Sequence, residues 1–253
     1  MYRLATSIKV LLTSMLLIIS MLVFSTTIWN QVVLDNDNKI KAQSLLTLFT
    51  TALDKDWKRM IHNNTFRNWA LLRPHVTPVF YFGSNDTLHK TAQYYGWHVL
   101  RVPKSNTKGT PILKNMFMEM ERTFSSHFYG YANADILFDE GLIKTLEKLI
   151  YFLQNTSQVL ITGRRTNVPV DTSVTSLLDI SELKRGHGPW IMMAMDYFIS
   201  IKNGYDWPSV PNLVVGRVRI DNWLMVHAIV TNKITIDITE TVSYTHLTLP
   251  TKA

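Results

Sequence analysis

Residues 129–138, YGYANADILF, hold the pattern that decides the fold: an apolar run, a short polar cluster and a second apolar run. The first run has the length and composition of a buried β-strand, and Asn133-Ala134-Asp135 follows at its carboxyl end. Similar apolar runs alternate with segments of helical character from residue 45 to residue 162. This alternation predicts an α/β domain whose mostly parallel sheet is flanked by helices.

The first helix of this domain is predicted at residues 54–72, directly after the first apolar run. Trp57, Ile61 and Trp69 are the candidates for its buried face, because they recur at helical spacing. Prolines at positions 74 and 78 close the segment.

Residues that directly follow the strands carry the functional prediction, because parallel α/β sheets bind ligands beyond the carboxyl ends of their strands. Asp135 offers a carboxylate at such an end. Carboxylate oxygens suit Mg²⁺ or Mn²⁺, and these ions can bridge the two phosphates of a nucleotide diphosphate. The alternative is that Asn133 and Asp135 only turn the chain and cap a helix.

Arg164 and Arg165 follow the apolar run at residues 159–162. A guanidinium group can bind phosphate oxygens through two parallel hydrogen bonds, so this pair is a candidate phosphate site. A solvated turn would explain the same two residues.

Further polar positions are candidates for contact with a sugar. Asp196 lies within an apolar run, where a carboxylate is costly unless it is paired or functional. It is therefore either a general base or sugar ligand, or a salt-bridged or capping residue. Asp221-Asn222-Trp223 combines hydroxyl-binding groups with an aromatic stacking face, or else begins a capped helix that runs to Val230.

The composition and the missing signatures exclude several classes of protein. The sequence has no P-loop, G-x-G-x-x-G, H-E-x-x-H or G-x-S-x-G motif, so kinases, dinucleotide dehydrogenases, zinc proteases and α/β-hydrolases lose their usual support. It has no cysteine, which excludes disulfides and thiolate zinc sites. Its net charge of +7 comes without a dense Lys/Arg run, so no nucleic-acid partner is expected.

An N-terminal membrane anchor is predicted. Residues 10–29 carry no charge and as a helix would span roughly 30 Å, the thickness of a bilayer's hydrocarbon core. Arg3 and Lys9 precede this segment and Asp35 follows it, so the positive-inside rule leaves the short tail cytoplasmic and the bulk of the chain lumenal or extracellular. The alternative is a cleaved signal peptide, although the segment is longer than an ordinary signal core.

The chain is accordingly divided into a cytoplasmic tail (residues 1–9), a transmembrane signal-anchor (10–29), a polar stem (30–43), a lumenal domain (44–241) and a foreign tail (242–253). The last segment, VSYTHLTLPTKA, resembles a translated sequencing adapter. The native sequence would then stop near Thr241, and His246 is not assigned a function.

Five strings of the domain, spread in order over residues 45–240, resemble a largely uncharacterised family of GT-A-type, nucleotide-diphospho-sugar glycosyltransferase-like proteins. They are LLTLFTTALDKDWKRMIHNNTFRNW (45–69), FYGYANADILFDEGL (128–142), ITGRRTN (161–167), AMDYFI (194–199) and GRVRIDNWL (216–224). Several ordered motifs are more specific than any one of them alone.

The resemblance implies a GT-A fold and makes Asn133-Ala134-Asp135 the counterpart of a metal-binding DXD motif, with asparagine at the first acidic position. One carboxylate fewer should weaken the binding of Mn²⁺ or Mg²⁺. The resemblance also implies that Arg164 and Arg165 lie near the donor diphosphate, and that Asp196 and Asp221 lie near the acceptor and donor sugars.

The sequence therefore predicts a type II Golgi membrane protein, anchored in the lipid bilayer, that transfers a sugar from a nucleotide-sugar donor to a glycan or glycoconjugate acceptor. A catalytically inactive GT-A-like protein that binds a glycan or nucleotide is the second interpretation, and a secreted lectin-like module is the third. The assigned residues are Asp196 and Asp221 for catalysis, Arg164, Arg165 and Asn133 for the donor and its phosphates, Asn222 and Trp223 for binding a sugar or the acceptor, and Asp135 for Mn²⁺ or Mg²⁺.

Overall fold

The computed structural model describes residues 44–83, 87–169, 173–183, 195–217 and 219–241, the backbone of 244–248, and the single residues 21 and 25. The rest of the predicted anchor and the whole predicted stem lie outside the described residues. Within the described part of the chain, no helix has the length and apolar character needed to cross a bilayer.

Strands and helices alternate along most of the described chain. The elements are β1 (Ser44–Thr51), α1 (Arg59–Leu71), β2 (Val76–Phe82), α2 (Leu88–Tyr94), β3 (His98–Arg101), α3 (Leu113–Thr123), β4 (Ser126–Ala132), β5 (Ile136–Phe138), α4 (Gly141–Phe152), β6 (Val159–Arg164), β7 (Thr166–Pro169), α5 (Leu177–Leu183), β8 (Met195–Ile201), α6 (Ile220–Val230), β9 (Ile234–Asp237) and β10 (Tyr244–Thr248). Single 3-10 turns occur at Asp56–Lys58 and Trp207–Ser209.

The central sheet has the strand order β3-β2-β1-β4-β8-β6-β9. Neighbouring strands run parallel, except that β8 is antiparallel to both β4 and β6. The prediction of a mostly parallel sheet flanked by helices is therefore confirmed, with β8 as the exception.

The strand order reverses between β1 and β4. From β1 the chain moves outward through β2 to β3, and it then returns to place β4 on the other side of β1. In α/β sheets the connections leave such a switch point in opposite directions and open a crevice beyond the strand ends, where ligands bind. We call this place the switch-point crevice.

A small second sheet has the order β5-β10-β7. Strand β10 runs antiparallel to β5 and parallel to β7. It belongs to residues 242–253, whose foreign origin stays a prediction.

Each face of the central sheet has its own core, because successive side chains of a strand point to opposite faces. Leu48 of β1 belongs to the core that includes Phe66 of α1 and Leu146 of α4. The next residue, Phe49, belongs to the opposite core, where its ring meets that of Phe117 of α3 edge-on at 4.8 Å. Helices thus cover both faces of the sheet.

Candidate functional site

Helix α1 holds the loop that links β4 to β5. The Thr65 hydroxyl donates a hydrogen bond to the carbonyl oxygen of Ala134 at 2.9 Å. Asn68, fully buried, donates from Nδ2 to the carbonyl oxygen of Phe138 and accepts from the Phe138 N–H at Oδ1, both at 2.8 Å. These bonds fix the three residues between the strands against the first helix.

Lys58 and Asp135 meet where the switch-point crevice is expected, beyond the carboxyl ends of β1 and β4. Lys58 ends the 3-10 turn that follows β1, and Asp135 follows β4. The Lys58 ammonium lies 3.7 Å from Oδ2 of Asp135 and 5.2 Å from the centroid of the Trp57 ring. The two charged side chains are 32% and 15% exposed, so this ion pair remains accessible to solvent.

His62 lies one turn after Lys58 on α1 and is buried. Burial, together with the positive charge of Lys58, lowers the pKa of His62 to about 4, against the opposing effect of the Asp135 carboxylate. The imidazole is therefore neutral at pH 7. We call Lys58, His62 and Asp135 the Asp135 cluster.

A second group, Asn133, Arg165 and Asp196, forms what we call the Asp196 network. The Asp196 side chain is only 3% exposed. Its Oδ1 accepts a hydrogen bond from Nη1 of Arg165 at 2.8 Å and one from Nδ2 of Asn133 at 3.2 Å. Arg165 also donates from Nε to Oδ1 of Asn167 at 2.9 Å. The structure thus shows the salt-bridged alternative for Asp196, and a direct catalytic role stays a prediction.

The amide of Asn133 uses both of its ends inside the site. An ionised carboxylate only accepts hydrogen bonds, so the NH₂ group faces Asp196. At the other end, Oδ1 accepts from the Tyr131 hydroxyl at 3.0 Å. Burial and the charges of Asp135 and Asp196 raise the pKa of Tyr131 above its ordinary value, which keeps this phenol protonated as a donor.

The two neighbouring arginines contact different groups. Nε of Arg164 lies 3.9 Å from a carboxylate oxygen of Asp237, at the end of β9, and its backbone N–H donates to the Thr239 hydroxyl at 2.8 Å. Arg165 instead belongs to the Asp196 network. The structure therefore does not pair the two guanidinium groups, and their predicted contact with a diphosphate is untested.

The Asp221-Asn222-Trp223 string lies in the first turn of α6, which matches the alternative of a helix start. Asp221 accepts a hydrogen bond at Oδ2 from the Met195 N–H at 3.3 Å, so it lies beside the residue that precedes Asp196. Asn222 is exposed. The Trp223 ring stacks on that of His227 with centroids 4.7 Å apart. Sugar binding by Asn222 and Trp223 stays a prediction.

Sequence reasoning missed Lys58 and His62, and its assignment of Trp57 was wrong. Trp57 is 59% exposed, whereas Ile61 and Trp69 are buried as predicted. The α-helix begins only at Arg59, and Trp57 lies in the 3-10 turn before it, whose three-residue repeat does not continue the buried stripe of α1. Lys58 is separated from the end of β1 by a loop and a 3-10 turn, so the rule for residues directly after a strand, which identified Asp135, does not indicate it.

The side chains around Asp135 do not fit a divalent cation well. The described residues contain no group of three or more His, Cys, Asp or Glu side chains arranged to hold a metal ion. The side-chain oxygen of Asn133 is engaged by Tyr131, and a lysine ammonium lies against Asp135. Mg²⁺ and Mn²⁺ prefer several oxygen ligands, so the donor set is poorer than the DXD resemblance implies.

Comparison with known proteins identifies the fold and leaves the activity open. No family model matches the chain, and no curated protein matches its sequence. The structure resembles S. aureus TarS 1–349 in complex with UDP-GlcNAc, with a TM-score of 0.52 and 10% identity. The match covers 82% of this chain and 60% of the TarS chain.

The structure also resembles that of a mycobacterial protein, with a TM-score of 0.50 and 14% identity over 85% of this chain and 70% of the other. At these identities the likeness concerns the fold alone. The α/β domain with its seven-stranded central sheet thus matches the GT-A-like fold that the resemblance implied.

Proposed function

We propose that this domain is a glycosyltransferase that binds a nucleotide-sugar in the switch-point crevice. The observation that carries the proposal is the contact between the Lys58 ammonium and the Asp135 carboxylate at the switch point of the sheet. The TarS structure, which shares the fold, holds UDP-GlcNAc. A nucleotide-sugar is therefore the proposed class of donor, and a glycan or glycoconjugate hydroxyl is the proposed class of acceptor.

The donor diphosphate is proposed to lie at the Asp135 cluster. Lys58 is the N-cap residue of the 13-residue helix α1, so its side chain branches from the backbone at the positive end of the helix dipole. Both favour the negative charge that develops on a departing nucleoside diphosphate. Trp57, exposed beside Lys58, offers a face for the nucleobase.

Asp221 is the proposed general base. In the reaction the acceptor oxygen bonds to the anomeric carbon, the bond from that carbon to the diphosphate oxygen breaks, and the hydroxyl proton passes to the base. Asp196 is nearly inaccessible and paired with Arg165, which makes it a poor proton acceptor. Asp221 is partly exposed beside the beginning of β8. Asp196 is then a positioning residue for Asn133.

A divalent cation at Asp135, as the sequence predicts, would offset charge on the leaving group. The contacts of Asp135 do not fit this cofactor well, so no step of the proposal depends on it.

The proposed function is tested by calorimetric titration and turnover assays of the full chain in mild detergent. Uridine, guanosine and cytidine nucleotide-sugars serve as donors. We expect one donor to bind and to be slowly hydrolysed, because water replaces an absent acceptor. Asp221→Asn should lower the hydrolysis rate at least tenfold while binding is retained. Failure of every donor to bind would refute the proposal.

The second candidate is a GT-A-like protein that binds a nucleotide-sugar without turnover. Asparagine at position 133 and the closed Asp196 network favour it, because both reduce the number of carboxylates open to substrates. Donor binding without any hydrolysis or transfer to a glycan acceptor would support this candidate over the enzyme.

The chain is also proposed to be a type II membrane protein of the Golgi, on the evidence of the uncharged residues 10–29. N-terminal sequencing of protein from cells tests this anchor. A mature start after residue 25 would show that the segment is a cleaved signal.

A further inference from the structure

We infer that the site binds a nucleoside diphosphate without a divalent cation, and that the Lys58 ammonium supplies the positive charge that a metal ion was predicted to provide. The inference rests on the proposed function, because it concerns the diphosphate of the proposed donor. It assigns a role to a residue that neither the DXD-like string nor the arginine pair includes.

The first argument is the position of Lys58. Its ammonium reaches over the Trp57 ring to Asp135 and remains partly exposed. An ammonium group carries three hydrogen-bond donors, so one contact with Asp135 leaves others for phosphate oxygens. Asp135 would then hold the lysine in place, and the lysine would hold the ligand.

The second argument is competition for Asp135. A Mg²⁺ ion bound about 2.1 Å from Oδ2 of Asp135 would lie no more than about 6 Å from the Lys58 ammonium. Two cations at that distance repel each other strongly in a partly buried site. The lysine and a divalent cation are therefore alternatives at this carboxylate.

The third argument explains the asparagine at the first position of the DXD-like string. Nδ2 of Asn133 lies 3.2 Å from Oδ1 of Asp196 and donates to it. An aspartate at position 133 would turn a second carboxylate toward the buried Asp196 with no hydrogen between them, which is unfavourable. The buried network therefore requires an amide where a metal site would place its second carboxylate.

Lys58 is the member of the Asp135 cluster that carries a positive charge, because His62 is neutral. The imidazole is buried and neutral at pH 7, so it adds no positive charge for a phosphate. In the Asp196 network, the Arg165 guanidinium is already engaged by Asp196 and Asn167.

The test is calorimetric titration of the full chain with UDP and GDP, once with excess EDTA and once with excess MnCl₂. We expect the affinity of the bound nucleotide to agree within about twofold between the two buffers. Lys58→Ala should weaken it about tenfold or more in EDTA, whereas Lys58→Arg should retain most of it. Lys148→Ala removes an exposed lysine of α4 and is the matched control.

The outcomes separate the inference from the proposed function. Binding that requires Mn²⁺ would overturn the inference and leave the glycosyltransferase proposal standing. The same holds if Lys58→Ala folds, as shown by an unchanged melting curve, and binds as tightly as the parent chain. Absence of nucleotide binding in both buffers would overturn the two together.

Discussion

The Asp135 cluster and the Asp196 network place two carboxylates at one edge of the sheet in contrasting environments. Asp196 is buried, and its guanidinium partner is at hydrogen-bonding distance. Asp135 faces an ammonium group that lies farther away and is partly exposed. A buried pair is costly to break, whereas an accessible pair can exchange a partner for a ligand. The difference supports the proposal in which the Asp196 network stabilises the fold and the Asp135 cluster binds the donor diphosphate.

The largest expected effect comes from breaking the buried pair. Arg165→Met should lower the free energy of unfolding by about 3–5 kcal/mol, because it leaves the Asp196 charge buried without its arginine. Urea unfolding measures the loss. The matched control is Arg59→Met, whose ion pair with Asp56 is 69% and 93% exposed at its two side chains and should contribute less than about 1 kcal/mol. Equal losses would show that the network is not structural.

Protonation of His62 at acid pH should lower the free energy of unfolding of the domain. The pKa of His62 is lowered from 6.5 to about 4 in the folded state, so between these pH values the unfolded chain binds more protons. Stability from this group is present above pH 6.5 and is lost as the pH falls toward 4, to a total of about 3 kcal/mol.

This acid effect is measured by urea unfolding at pH 7 and pH 4, and His62→Gln is the comparison. The variant removes the titrating imidazole, so its loss between the two pH values should be smaller by about 3 kcal/mol. A loss as large as that of the parent chain would mean that His62 is already protonated in the folded state.

A carboxylate placed inside the Asp196 network should destabilise it. Asn133→Asp replaces a hydrogen bond to Asp196 by repulsion and should cost about 1–3 kcal/mol at pH 7. Asn222→Asp makes the same change of charge on the exposed face of α6 and should alter stability by less than about 0.5 kcal/mol. Similar values for the two variants, from thermal or urea unfolding, would contradict the described hydrogen bond.

The smallest expected effect concerns Trp57, which lies beside the accessible Lys58–Asp135 pair. Trp57→Ala should leave the stability unchanged, because the ring is mostly exposed, and should weaken nucleotide binding about fivefold, or ~1 kcal/mol. Calorimetry with UDP and GDP gives the affinities. Tyr94→Ala removes an exposed aromatic ring of α2 as the control. An unchanged affinity in Trp57→Ala would place the nucleobase elsewhere.

Most strands and helices between residues 45 and 162 were predictable because their signals are local, whereas the short or later strands β5 and β7–β10 were not predicted. Apolar runs of strand length and the helical repeat of Ile61 and Trp69 follow from neighbouring residues alone. The direction of β8 was not predictable from periodicity, because parallel and antiparallel strands share the same two-residue repeat. Trp57 was misassigned because a single 3-10 turn precedes α1, and the sequence pattern does not mark that boundary.

The site was predictable only in its parts. Asp135 closely follows β4, so its position along the chain indicated it. Lys58 is separated from β1 by a loop and a 3-10 turn, so the same rule does not indicate the other member of the pair. The network joining Asp196 to Arg165 depends on contacts between residues 31 positions apart in sequence, brought together by the pairing of β6 with β8. Periodicity carries no information about such a contact.

The hydrogen bonds of Thr65 and Asn68 to the β4–β5 loop have a thermodynamic consequence for any ligand of the crevice. A loop held by a helix has already lost its conformational freedom during folding, so binding does not have to order it again. The main conformational entropy that is still lost on binding is then that of the ligand itself. A ligand with many rotatable bonds can therefore be bound through a small number of polar contacts.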